Sequence, residues 1–187
     1  MYNSLANFLK GGAIINTVYI IFTDKNKQKK TISAFAKNFV KYKAAKILNI
    51  HSNDVIFEIT DNGKPFIKNH LEFHFNISHT SGAVAVALGS SPIGIDIERI
   101  RKADMRVAER FFSTSEKMAI KSDTDFFAIW TKKEAFIKKN DLTLSHLKKA
   151  NSENIYTFEK DGYIISVCSD DSENRIIFLD EKESDNS

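Results

Sequence analysis

Asp96 and Glu98 stand two residues apart in Ile93-Gly94-Ile95-Asp96-Ile97-Glu98, where each follows an isoleucine. Side chains two apart on a strand share a face, so the isoleucines take one side and both carboxylates the other, about 7 Å apart. Like charges at that separation repel unless a cation or a basic partner lies between them. Mg2+ takes a few hard oxygen ligands of this kind and keeps waters in its remaining positions. An exposed acidic pair on a sheet can equally be a solvated face, and spacing alone leaves both readings open.

Trp130, Glu134 and Lys138 recur every fourth residue and so climb one side of a helix, at the flank of an apolar stripe of Phe126, Trp130 and Ile137. A carboxylate at such a margin is partly desolvated, which suits a metal ligand or a base. The plain alternative is a Glu-to-Lys helix pair contributing about 0.2–0.5 kcal/mol. Phe75-Asn76-Ile77-Ser78-His79 then delivers Ser78 and His79 to the end of a strand. A lone histidine is more often a hydrogen-bonding residue than an active one. Neither a strained elbow nor a third triad member accompanies the pair, so a serine hydrolase is set aside.

Periodicity predicts the elements that carry these residues. A strand is expected near Ile14 to Phe22, then a helix from about Ser33 to Leu48 with a stripe of Phe35, Phe39, Tyr42, Ala45 and Leu48. A strand near Val55 to Thr60 leads into a turn at Asp61-Asn62-Gly63. Leu71, Phe73, Phe75 and Ile77 alternate with Glu72, His74, Asn76 and Ser78, predicting a half-buried strand. Ala83 to Leu88 predicts a strand buried on both faces, and Ser113-Thr114-Ser115-Glu116 is a capping box. A helix over about Asp125 to Lys139 and strands at Ile155 to Phe158, Tyr163 to Cys168 and Arg175 to Leu179 complete the reading. Strands and helices mix without a regular βαβ rhythm, so the class is α+β, and no internal repeat is visible in the sequence.

Composition bounds the remaining choices. With 187 residues, 42% of them hydrophobic and 15 Phe, the chain can fill a real interior, which excludes disordered and fibrous classes. No apolar run reaches the roughly 18 residues of a spanning helix, and the amino terminus lacks a basic leader with a cleavage pattern. One cysteine, Cys168, can neither staple the fold nor build a thiolate zinc site, so a reducing cytoplasm is expected, with no membrane partner. The net charge of +3 is unevenly spread: Lys25, Lys27, Lys29, Lys30, Lys37, Lys41, Lys43 and Lys46 occur without an intervening acid, and the carboxyl end is acidic. Such a lysine run is either a solvated face or the seat of a phosphate-bearing ligand.

Gly63-Lys64-Pro65, Phe75-Asn76-x-Ser78-His79, Gly94-Ile95-Asp96-Ile97-Glu98, Phe111-Phe112-Ser113 and Trp130-x-x-Lys133-Glu134-Ala135-Phe136-x-Lys138 occur in that order. In order and approximate spacing they resemble the 4'-phosphopantetheinyl transferases of the surfactin-synthetase-activating type, over roughly Ile14 to Cys168. The resemblance implies a pseudo-dimer of two similar α+β halves, residues 1–90 and 91–187. Coenzyme A and Mg2+ would lie in the cleft between them. It implies Asp96, Glu98 and Glu134 as metal ligands, with Lys138 on the phosphate and on the leaving adenosine 3',5'-bisphosphate. Ser78 and His79 would bind coenzyme A phosphates, Gly63-Lys64-Pro65 would lie against its adenine, and Lys41 would meet the 3'-phosphate. Glu134, or a water it orients, would take the proton of a serine on an apo acyl or peptidyl carrier protein. The implied protein is a monomer with no nucleic-acid partner.

After Lys138, many relatives continue into a Gly-x-Gly-Leu-like loop, whereas this chain reads Lys139-Asn140-Asp141-Leu142-Thr143. The departure bears on the loop beside the cleft and on carrier preference, and leaves the metal site untouched. Two other classes compete: a metal-dependent phosphodiesterase or nuclease using the same carboxylates, and a non-catalytic module for coenzyme A or carrier proteins. The nuclease has no need of Gly63-Lys64-Pro65, and the module has no need of Asp96, Glu98, Glu134 and Lys138 together.

Overall fold

The structure, a computed structural model, describes residues 9–10, 13–14, 16–150, 153–171 and 173–184. A two-residue hairpin, β1 (Leu9–Lys10) with β2 (Ala13–Ile14), precedes β3 (Asn16–Phe22) and the long helix α1 (Lys29–Leu48). The short pair β4 (Phe57–Ile59) and β5 (Pro65–Ile67) follows, then β6 (His74–Thr80), β7 (Ala83–Gly89) and β8 (Ile93–Arg99). Helices α2 (Met105–Phe111), α3 (Thr114–Ala119) and α4 (Asp123–Lys139) lead to β9 (Ile155–Lys160), β10 (Tyr163–Ser169), β11 (Asn174–Asp180) and a final turn α5 (Glu181–Ser184). The mixture is α+β, as the irregular rhythm of strands and helices predicts.

Two sheets form the frame, ordered β11-β3-β7-β6 and β8-β10-β9. Within them the order strand, long helix, two antiparallel strands occurs twice, as β3-α1-β6-β7 and β8-α4-β9-β10. The first strand of each set neighbours its last. The last strand, β11, crosses to the first sheet and pairs in parallel with β3.

The continuous apolar run of β7 is explained by its two neighbours. Ala83, Ala85 and Ala87 face the second sheet, where they pack with Ile93, Ile95, Ile97, Ile165 and Val167. Val84, Val86 and Leu88 face α1 and its Ile32, Ala36, Phe39, Val40 and Ala44. Both faces of the strand lose water, so alternation disappears from its sequence. The stripe predicted on α1 is rotated: Phe39 and Ala45 are buried, but Tyr42 is 37% exposed, and small alanines instead let the helix approach the sheet.

The segment from Leu71 departs most from its sequence reading. Leu71 is 67% exposed in a turn, and the strand begins only at His74. Asn69 with φ of 64° and the bond from Phe73 N–H to the His70 carbonyl hold the chain in turns up to Phe73. Its polar row is not solvated either: Asn76 and Ser78 are 5% and 8% exposed. They face the edge of β8, and side chains stitch the two sheets together there. The Ile95 N–H donates to Asn76 Oδ1 at 2.9 Å, Ser78 Oγ donates to Asp96 Oδ1 at 2.7 Å and Thr80 Oγ1 reaches Glu98 Oε2 at 3.4 Å.

Candidate active site at the seam between the sheets

β8 carries Asp96 and Glu98 to this seam, β6 brings Ser78, and α4 lies across both. Close approach of α4 depends on Gly94, because a Cβ there would stand 2.0 Å from the Ala135 carbonyl oxygen and 2.5 Å from the Lys139 nitrogen. Contacts that short with backbone atoms cannot be relieved by turning a side chain. Gly94→Ala is therefore expected to lower stability by about 1–3 kcal/mol and to move Glu134 and Lys138 away from β8. Equilibrium unfolding in urea with an unchanged midpoint would contradict it.

Lys138 reaches from the last turn of α4 to Asp96, with Nζ 2.6 Å from Oδ1, and also donates to Ser78 Oγ at 3.2 Å. Glu134, one turn earlier, has Oε2 4.0 Å from the same ammonium. The second oxygen of Asp96 is buried and has no hydrogen-bond partner among the described residues. A buried carboxylate oxygen left without a donor is costly, and a cation satisfies it. Glu98 is anchored by Arg101, whose Nη1 donates to Oε2 at 2.7 Å. Arg101 and Thr80 were not singled out in the sequence, although Thr80 shares the period-two register of Asn76 and Ser78.

The electrostatics follow from burial and crowding. Burial first, then the Asp96 charge, pushes Glu134 up to about 7, with the nearby Lys138 opposing. Burial and Asp96 also raise Glu98, against the pull of Arg101. For Lys138 burial works against the charged form, but Asp96, Glu134 and Glu98 more than offset it and raise its pKa. Among the described residues no three His, Cys, Asp or Glu side chains are gathered closely enough to enclose an ion. The Lys138 ammonium supplies the nearest counter-charge. The orphaned oxygen and the uphill titration of both glutamates nevertheless fit a divalent cation, which would relieve all three carboxylates.

Two cavities flank the seam. The first, about 300 Å3, is lined by Lys25, Lys27, Lys29, Ile32, His79, Thr80 and Ser81. Burial and the charges of Lys29 and Lys138 hold His79 below the usual histidine range. Lys27 also pairs with Glu181 of α5. The basic stretch thus meets His79, but only in part: Lys41 does not line this cavity and lies three turns beyond Lys29, roughly 18 Å along the helix. The second cavity, about 560 Å3, is bordered by Lys64, Pro65, Phe66, Phe73, Phe75 and Asp141 among others. Gly63 takes the φ of 89° that this turn requires.

Lys133, beside Glu134, points elsewhere. It is buried and paired with Glu116 of α3 at 2.7 Å, while Glu116 also accepts from the Ser113 N–H at 2.6 Å. The predicted capping box is therefore a link between α3 and α4.

The profile of the 4'-phosphopantetheinyl transferase superfamily matches residues 92–186, which hold Asp96, Glu98, Glu134 and Lys138. The chain belongs to this superfamily. Among its relatives is the 4'-phosphopantetheinyl transferase gsp of Aneurinibacillus migulanus, 33% identical over an aligned length of 148, with 66% of this chain and 62% of that protein covered. The transferase psf-1 of Bacillus pumilus is 42% identical over 98 residues, 49% of this chain and 42% of its own length. The transferase Sfp of Bacillus subtilis (strain 168) is 38% identical over 102 residues, 51% of this chain and 46% of its own length. The matches thus span about half the length of these superfamily members, from 42% to 62%. No helix among the described residues is long and apolar enough to cross a membrane.

Proposed function

We propose that the chain transfers the 4'-phosphopantetheine group of coenzyme A to a serine of an apo acyl or peptidyl carrier protein, releasing adenosine 3',5'-bisphosphate. The observation that carries this reading is the buried Asp96–Lys138–Glu134 cluster, set beside a lysine- and histidine-lined cavity, in a chain of this superfamily. Asp96, Glu98 and Glu134 would hold Mg2+, which when bound neutralises the pyrophosphate and polarises the phosphorus under attack. Glu134, or a water it orients, accepts the serine proton from its place one turn before Lys138 at the edge of the seam. The serine oxygen forms its bond to the phosphorus next to the pantetheine arm as the bond to the adenylate phosphate oxygen breaks. Lys138 stabilises the charge that develops on that leaving oxygen, and Ser78 keeps its ammonium aimed into the cleft.

The repeated order of elements supports a pseudo-dimer with its boundary near residue 90, acting as a monomer, and the single buried Cys168 suits a reducing cytoplasm. His79, Lys25 and Lys29 are assigned to coenzyme A phosphates, with the 3'-phosphate among them, and Gly63-Lys64-Pro65 to the adenine. The resemblance alone favours Lys41 for the 3'-phosphate.

Mass spectrometry of apo carriers incubated with the protein, coenzyme A and Mg2+ tests the reaction. The carrier is expected to gain one phosphopantetheine, and an unmodified serine across acyl and peptidyl carriers would refute the assignment. Calorimetry refines the phosphate site. Dephospho-coenzyme A should bind more weakly than coenzyme A, and Lys29→Ala should shrink the difference. If Lys41→Ala shrinks it instead, the 3'-phosphate belongs further along α1.

A further inference from the structure

The backbone of Asp141 takes the left-handed conformation that glycine ordinarily supplies, with φ of 51°. Aspartate tolerates this region better than most residues. Beyond the last ordinary helical bond, from the Asn140 N–H to the Phe136 carbonyl at 3.1 Å, the Leu142 N–H donates back to the Ile137 carbonyl at 2.8 Å, the 6→1 bond of a Schellman motif. Unlike glycine, Asp141 also projects a carboxylate, and Thr60 Oγ1 donates to it at 3.1 Å. Thr60 is the residue that shapes the Gly63-Lys64-Pro65 turn, since its Oγ1 accepts from the Lys64 N–H at 3.0 Å and its own N–H donates to the Lys64 carbonyl at 2.9 Å. Asn62 Nδ2 donates to the Asp141 carbonyl at 2.7 Å, and Lys64 Nζ to the Lys139 carbonyl at 2.8 Å. The latter places a cation on an orphan carbonyl at the helix carboxyl end, where the dipole favours it.

We infer that Asp141 is a positioning residue: through Thr60 it fastens the Gly63-Lys64-Pro65 turn to the end of α4. The wall of the 560 Å3 cavity and the helix that carries Lys138 thereby move as one unit. The inference rests on the reading that coenzyme A lies against this turn while its phosphates meet Lys138. Binding then profits from a preformed wall, and loosening the turn weakens binding before it touches the chemical step.

Three variants and their combination test it: Asp141→Gly, which keeps the backbone conformation, Asp141→Asn, which keeps an acceptor oxygen as well, and Thr60→Val. Loss of a hydrogen bond to a charged group corresponds to a rise of about ten-fold in Kd and KM for coenzyme A in Asp141→Gly and Thr60→Val. The kcat at saturating coenzyme A should hold, Asp141→Asn should stay near the wild type, and the double variant Thr60→Val/Asp141→Gly should be no worse than Thr60→Val alone. Should Asp141→Gly fail to fold, Thr60→Val leaves the helix end intact, and KM should then rise at least as much, because this variant also removes the acceptor of the Lys64 N–H. A lowered melting temperature with unchanged KM, or additive losses in the double variant, would overturn the role of Asp141 and leave the proposed function standing. A wild type that binds neither coenzyme A nor adenosine 3',5'-bisphosphate would remove both.

Discussion

Replacing Asp96 by Asn is expected to lower phosphopantetheine transfer by on the order of 10³-fold or more, with little change in secondary structure. Asp96 is the hub of the seam: one oxygen accepts from both Ser78 and Lys138, and the other is buried with no partner among the described residues. An amide of the same shape keeps an acceptor for Ser78 but gives up the charge that a cation needs. It also presents an NH2 group where the orphaned oxygen stood. The loss should persist in excess Mg2+, because a missing charge on a buried ligand is not replaced by concentration within an accessible range. Single-turnover transfer at several Mg2+ concentrations, with circular dichroism as the folding control, decides it. Near-wild-type activity at low Mg2+ would remove Asp96 from the site.

Glu134→Gln separates a base from a ligand. General-base assistance contributes about 10² to 10⁴-fold in rate, so the single-turnover rate should fall by that order while coenzyme A affinity changes little. Stability should move the opposite way. The folded pKa of about 7 lies above the ordinary 4.5, so between these values the native state binds more protons than the unfolded one. The stabilising effect of protonating Glu134 is complete below about 4.5 and is lost as pH rises through about 7. Above that, the ionised group costs on the order of 3 kcal/mol. In chelator at pH 8 the Gln variant should thus melt above the wild type, with the gap narrowing as pH falls from about 7 and closed below about 4.5. If affinity and rate fall together and excess Mg2+ restores both, Glu134 is a ligand only and the base is water or another group.

Local periodicity already placed much of this chemistry. The two-residue repeat of Ile93 to Glu98 puts Asp96 and Glu98 on one face of β8, and the four-residue spacing of α4 puts Glu134 one turn before Lys138, because both patterns depend only on neighbours along the chain. What faces those side chains does not. The polar row of β6 reads as solvated, yet it is buried, since an alternating pattern says that a face is polar without saying whether water or another strand edge lies against it. Ser78 meets Asp96 across 18 residues of sequence, and Thr60 meets Asp141 across 81. The repeated strand, helix, hairpin order leaves no trace in the residues because core packing constrains size and polarity rather than identity. The resemblance implies Lys41 for the 3'-phosphate, whereas the cavity around His79 is assembled from the segment before α1 and its first turns, so Lys25, Lys27 and Lys29 line it and Lys41 does not. In the same way the Asn140-Asp141 sequence reads as the loss of a glycine loop. Only the tertiary structure decides that Asp141 keeps the left-handed backbone and adds a carboxylate for Thr60, because that partner arrives from the turn joining β4 and β5.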